Sequence, residues 1–157
     1  MEAIKVPIQP NEFDWDLDVE DFMAVKFMIH YFCHHDYPCD IPTHRDHKTY
    51  TPENVAKGVL AIHSKMYAMG DKYQVPGLKA LAVRKFKLSY EKTCAGFDTA
   101  AVIAFMSTPE TEQGMRQVIV DALGRYPWIA KNEVVNMTVK KIPELLYAFY
   151  RKLVENV

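Results

Sequence analysis

Apolar positions recur at intervals of three and four residues over most of the chain, the period of an amphipathic helix rather than of a strand. Residues 19 to 33, VEDFMAVKFMIHYFC, predict a first helix. From Phe22 to Phe32 only Lys26 is charged, so this helix is apolar nearly all round and is expected to be buried on more than one side. Ahead of it, EFDWDLDVED is acidic, with aspartates suited to a helix start, and IKVPI at residues 4 to 8 alternates like a short strand that Pro7 confines to an edge.

After a loop broken by Pro38 and Pro42, Thr51-Pro52-Glu53 carries the signal of a helix start: a hydroxyl for a free backbone N–H and a proline for the first helical position. The second helix is expected to reach Tyr73. Val59, Ile62, Met66, Met69 and Tyr73 form one apolar stripe, with Leu60, His63 and Tyr67 beside it, which predicts two neighbours. Pro76 opens a third helix to about residue 92, with Leu78, Leu81, Ala82, Lys85 and Phe86 marking its inner side and edge. Further helices are expected over 98–107, 110–125, about 132–139 and 143–156. Thr108-Pro109-Glu110 repeats the earlier start signal, and Tyr147, Phe149 and Tyr150 fall at helical spacing as core candidates. The fold class is therefore mainly α, a helical bundle with at most one short strand.

Composition narrows the function classes. A chain of 157 residues with a net charge of −1 has the length of one domain and lacks the basic excess of a general nucleic-acid binder. No apolar run approaches the ~18 residues of a membrane span, and MEAIKVPIQP lacks the regions of a secretory signal. An odd number of cysteines, Cys33, Cys39 and Cys94, reads as reduced thiols, so the expected location is the cytoplasm or nucleus.

One stretch, HYFCHHDYPCDIPTHRDH, gathers five of the six histidines and two of the three cysteines. His30 and His34 lie one helical turn apart, and Cys39, His44 and His47 offer further nitrogen and sulfur ligands. The spacing matches no standard zinc motif, because Cys-x-x-Cys is missing and Tyr31 stands where a zinc protease has glutamate. The reading adopted is therefore no metal and no cofactor; the alternative is a small zinc-binding regulatory domain with Cys33, His34, Cys39 and His47 as ligands. Catalytic motifs are also missing: the sequence has no nucleophile elbow and no glycine-rich phosphate loop, and Asp14 and Asp16 read as solvated helix approach. His63 and Tyr67 read as packing residues with polar tips, and Lys79, Arg84, Lys85, Lys87 and Lys92 as a solvated face.

The stretch LAIHSKMYAMGDKYQVPGLKALA, residues 60 to 82, resembles the helix-turn-helix of fungal BTB/POZ-domain proteins. His63, Tyr67, Asp71, Lys72, Tyr73, Val75, Pro76, Gly77 and Leu78 match that pattern in order and spacing. Tyr31, Phe32, Asp36 and Tyr37 resemble the family's Tyr-Leu-Tyr-Thr-Gly-Asp-Tyr segment, and STPETEQGMRQVIVDAL is similar to its helical tail. Gly70 replaces the family's usual alanine, and Cys33, His34 and His35 replace small or turn-forming residues. The hairpin, dimer-forming helix and further elements of a complete BTB domain have no counterpart ahead of Ile4. The resemblance implies a truncated BTB-like segment over 1–93 and a helical extension over 94–157, packed as one unit. The C-terminal helices are then expected to fold over the first helix. It implies a non-enzymatic, adaptor-like protein-interaction module whose partner is another protein or a second copy, with a cullin-type ubiquitin ligase as the weaker implication and neither membrane nor nucleic acid. The expected partner-binding residues are Phe22, Val25, Phe32 and Tyr37.

Overall fold

A computed structural model describes residues 22–39 and 58–157; the strand expected at 4–8, the Thr51-Pro52-Glu53 start, His44 and His47 lie outside them. The fold is mainly helical. Among the described residues there are eight helices and no strand: α1 (Phe22–His34), α2 (Val59–Lys72), α3 (Pro76–Tyr90), α4 (Phe97–Met106), α5 (Gly114–Arg125), α6 (Pro127–Ala130), α7 (Glu133–Lys141) and α8 (Pro143–Glu155).

The bundle is built around α2, which packs against α1, α3 and α4. Its two apolar stripes thus serve three neighbours rather than two. Leu60, Ala61 and every residue from His63 to Gly70 are buried, whereas Tyr73 has left the core. Close approach is made possible by small side chains: Ala100, Ala101 and Ala104 of α4 are buried, and Ser64 of α2 donates to the Ala100 carbonyl at 2.9 Å. Gly58, just ahead of α2, has φ of 75°, and a Cβ there would collide with the backbone of Ala95 and Gly96. Glycine is the residue that meets both demands.

The turn from α2 to α3 accounts for Gly70. Gln74 takes a left-handed conformation, φ 58°, while Val75 N–H bonds to the Gly70 carbonyl at 2.7 Å and Gln74 N–H to that of Asp71 at 3.2 Å. This is a Schellman ending, which satisfies carbonyls that have no partner within the helix. It folds Lys79 and Val75 back so closely that a Cβ on residue 70 would strike the Lys79 side chain and backbone. The helix-propensity cost of glycine, ~1 kcal/mol, is therefore offset by a turn that alanine would strain.

Pro76 and Pro143 stand at helix starts, as expected, and Asn132 caps α7 by accepting from Val135 N–H at 3.2 Å. Thr108-Pro109-Glu110 behaves differently from its expected role. Thr108 donates its hydroxyl backwards to the Ala104 carbonyl at 2.6 Å, closing α4, and α5 begins only at Gly114.

Two packing expectations are corrected. The C-terminal helices do not close over α1, whose main neighbour is α2 and whose far side keeps Phe22, Ile29 and Phe32 largely exposed. Tyr147 and Tyr150 are not core: α8 faces the body with Leu145, Ala148 and Phe149, Tyr150 points away from it, and Tyr147 stands largely exposed at the rim of a groove beside α5.

Candidate functional site

The four outward residues of α1, Phe22, Val25, Ile29 and Phe32, are spaced three, four and three apart, so they form one stripe along the helix. Their exposures are 81, 36, 57 and 57%, unusual for large apolar side chains arranged contiguously. The opposite face is anchored by Ala24 and Phe27, both buried, with Met23, Met28 and Tyr31 packed partly against the core. The helix is thus anchored by one face while presenting the other. Phe22, Val25 and Phe32, expected to bind a partner, lie on this exposed stripe.

Tyr37 does not. It is wholly buried, its ring 6.0 Å from that of Phe27, and its hydroxyl is 2.8 Å from His63 Nδ1. On the other side of the imidazole, Nε2 is 3.3 Å from Ser89 Oγ. A neutral ring, with one N–H and one lone pair, suits two hydroxyl partners that can each donate or accept. Burial disfavours the imidazolium and the nearby Lys85 charge adds to that, so the His63 pKa falls from 6.5 to about 3.

Lys85 is buried at the edge of this cluster. Its ammonium donates to the Tyr37 carbonyl at 2.9 Å, lies 4.9 Å from the Tyr37 ring centre and pairs with Asp36 at 3.0 Å. Partial burial alone would raise the Asp36 carboxyl, but the Lys85 hydrogen bond and charge override it and hold that group below its ordinary range. The solvated face expected on α3 is therefore smaller than it looked: Arg84, Lys87 and Lys92 are exposed, Lys85 is not, and Lys79 is engaged. The Asp36-Tyr37 match is a latch that docks the chain beyond α1 onto α2 and α3.

A second polar cluster ties α2 and α3 to the loop before α5. Lys79 Nζ bonds Asp71 at 2.8 Å and Glu112 at 2.5 Å, and the Tyr67 hydroxyl donates to Glu112. Hydrogen bonds from Lys79 and then Tyr67 hold Glu112 down at about 2, while burial and Glu112 push Tyr67 up to about 12. Desolvation would lower the Lys79 pKa, but its two carboxylates outweigh it and raise it. Lys79→Met is expected to lower the urea midpoint by the equivalent of ~1 kcal/mol, with an unchanged m-value, because partly exposed pairs are screened by water. An unchanged midpoint would show the pairs to be energetically silent.

The histidine- and cysteine-rich stretch does not assemble a ligand set among the described residues, where no three His, Cys, Asp or Glu side chains converge on a metal-sized site. His30 Nδ1 lies 2.8 Å from the Asp36 carbonyl and His34 Nδ1 3.2 Å from the His30 carbonyl, and the two rings stack with centroids 4.2 Å apart. Cys33 is exposed and Cys39 buried.

Sequence reasoning missed Arg116. It lies beneath an open groove of about 320 Å³ between α5 and α8, where Phe105, Glu110, Val120, Glu144 and Tyr147 also line the walls. Nε donates to the Ala104 carbonyl, Nη2 to those of Phe105 and Thr108, and Nη1 to Glu144. All three guanidinium nitrogens are engaged, so this arginine ties down the end of α4 and is not available to grip an anion. A single arginine flanked by Met115, Val118 and Ile119 was the available signal. No family model, no curated protein and no solved structure matches the chain.

Proposed function

We propose that the protein is a non-enzymatic protein–protein interaction module of BTB-like type, working in an adaptor-like way in the cytoplasm or nucleus. The observation that carries this is the outward stripe of α1: Phe22, Val25, Ile29 and Phe32 lie in line on a helix whose other face is anchored in the core. An apolar stripe at helical spacing fits an amphipathic helix laid alongside it, with anchors repeating every three or four residues. Exposed Lys26 beside the stripe favours a partner with an acidic residue at its margin. The likeness of residues 22–37 and 60–82 to BTB/POZ proteins supports the same reading, and a cullin-type ubiquitin ligase is its weaker extension.

The test is the paired change Ile29→Asp and Phe32→Asp. Both side chains are more than half exposed, so stability is expected to stay within ~0.5 kcal/mol of wild type. Each contributes roughly 1.5–3 kcal/mol when buried by a partner, so affinity is expected to fall by at least ~100-fold. Proteins captured from a cell extract by wild type and by a Met137→Asp control on α7, but not by the pair variant, would identify the partner. If capture is indifferent to the pair, or if the pair unfolds the protein, α1 is not the docking face.

A further inference from the structure

The groove between α5 and α8 has a floor and a rim of different character. The floor is apolar, with Phe105 and Val120 buried and Ala148 half-buried. Its volume, about 320 Å³, stands at the small end of ligand sites, which run from roughly 300 to 1,000 Å³. That is room for one long side chain rather than for a cofactor.

The rim offers hydrogen-bonding groups of one kind. Gln113 donates its side-chain N–H to the Glu110 backbone carbonyl, and Gln117 donates its own to the Asp121 carboxylate at 3.0 Å. An amide whose nitrogen is fixed by an acceptor has its oxygen left to accept, so both glutamines offer Oε1. The Glu110 carboxylate has no partner among the described residues, and Glu144 meets Arg116 through one oxygen only, at 2.9 Å. Four groups able to accept, two of them charged, therefore surround a groove whose buried arginine already donates to the chain itself from all three nitrogens. Arg116 balances Glu144, which leaves Glu110 as a net negative charge. The cations further along α8 do not cancel it, since Lys152 is paired with Asp121 at 2.9 Å and Arg151 with Glu155 at 3.0 Å.

We infer that this groove takes an arginine side chain from a basic peptide segment of a protein partner. A ligand rich in acceptors would set lone pair against lone pair, whereas a guanidinium brings a positive charge and five N–H donors in one plane. Its methylene stem suits the apolar floor. Its flat face suits the ring of Tyr147, which is 64% exposed at the rim, because cations are drawn to aromatic faces and arginine most often of all. Phe105 already holds one guanidinium in this way, with Arg116 4.8 Å from its ring centre. A peptide is named, rather than free arginine, because the lining has no spare donor set for an α-carboxylate, and a peptide bond removes that group.

NMR titration of the isotopically labelled full chain with acetyl-Gly-Arg-Gly-amide tests this. The backbone amides of Gln113, Gln117 and Tyr147 are expected to shift with a dissociation constant of about 1 mM, the scale of a single side chain. A peptide with citrulline in place of arginine keeps the shape without the charge and should produce no shift there. Glu110→Gln removes the unbalanced charge and should weaken binding about tenfold. Tyr147→Ala should weaken it about threefold, and Tyr147→Phe, which keeps the ring, should leave it unchanged. Both positions are exposed, so the melting temperature of each variant should stay that of wild type.

Groove amides that stay unmoved at about ten times the expected constant overturn the inference. So do a citrulline peptide that binds as well as the arginine one, and binding that Glu110→Gln leaves intact. Free arginine binding more tightly than the capped peptide also overturns it, by making this a small-molecule site. The groove and the α1 stripe share no residue, so failure here leaves the proposed function standing.

Discussion

Arg116→Met is expected to lower the thermal midpoint by roughly 10 °C, equivalent to about 3–4 kcal/mol for a chain of this size. The guanidinium is 5% exposed and spans the end of α4, with donor distances of 3.2 Å to the Ala104 carbonyl, 3.0 Å to Phe105, 2.8 Å to Thr108 and 2.9 Å to the Glu144 carboxylate. It also lies 4.8 Å from the centre of the Phe105 ring. The last carbonyls of a helix have no partner within it and carry the negative end of its dipole, so one arginine supplies donors and charge where both are needed. Methionine preserves much of the apolar stem while removing every donor. Each buried carbonyl left without a partner costs ~1–3 kcal/mol, reduced here because water can reach the site from the adjoining groove. Arg116→Lys should lie between the two, since an ammonium restores the charge without the planar fork. Glu144→Gln should cost less than ~1 kcal/mol, because that carboxylate is half exposed. Melts followed by circular dichroism must hold protein concentration constant, since self-association would itself raise the midpoint. An Arg116→Met variant melting within 2 °C of wild type would mean that water replaces the guanidinium without loss.

The helices were legible where sequence signals are local. Pro76 and Pro143 fix two starts, and the stripe Leu78, Leu81, Ala82, Phe86 names the buried side of α3 correctly. Less legible was which apolar face finds a neighbour. Periodicity shows that α1 and α8 each have two apolar sides, but one side is covered and the other exposed because of where α2, α5 and α7 happen to lie. Tyr147 and Tyr150 satisfied the same spacing rule as Phe149 and came out largely exposed. The polar anchors were hidden for a related reason. Lys85 reaches the Tyr37 carbonyl 48 positions away, and Lys79 reaches Glu112 33 positions away, so neither partner is visible in any local window. Of the thirteen residues that carry the resemblance, Asp36, Tyr37, His63, Tyr67 and Asp71 form the two buried or partly buried polar clusters, through Lys85 and Lys79. Those five residues latch α1, α2 and α3 together, while the stripe on which the proposed function rests carries only Phe32 of the thirteen.

The latch around His63 should make the protein acid-sensitive in a window where few groups titrate. Burial, aided by the Lys85 charge, puts its folded pKa at about 3 against 6.5 in the unfolded chain. As pH falls below 6.5 the unfolded chain takes up a proton that the folded protein refuses, so stability is full above pH 6.5 and falls with each unit of acidification until about pH 3. The slope approaches ~1.4 kcal/mol per pH unit, and roughly 1.5–2 kcal/mol should be lost between pH 6.5 and pH 5. Glu112 cannot account for that loss. Its pKa is lowered from 4.5 to about 2, so its contribution is complete above pH 4.5 and disappears only below it, and Asp36, also lowered, acts in the same acid range. Urea titrations at pH 7, 6 and 5 and constant protein concentration should therefore show the free energy of unfolding dropping in wild type. His63→Gln keeps one donor and one acceptor facing Tyr37 and Ser89 but cannot titrate; it should start lower at pH 7 and fall much less on acidification. Tyr37→Phe provides the complement, since it removes the hydroxyl and leaves a buried imidazole that still resists protonation, so the slope should persist at reduced stability. A wild-type slope that His63→Gln leaves intact would place the proton uptake on another group and remove His63 as the source of acid sensitivity.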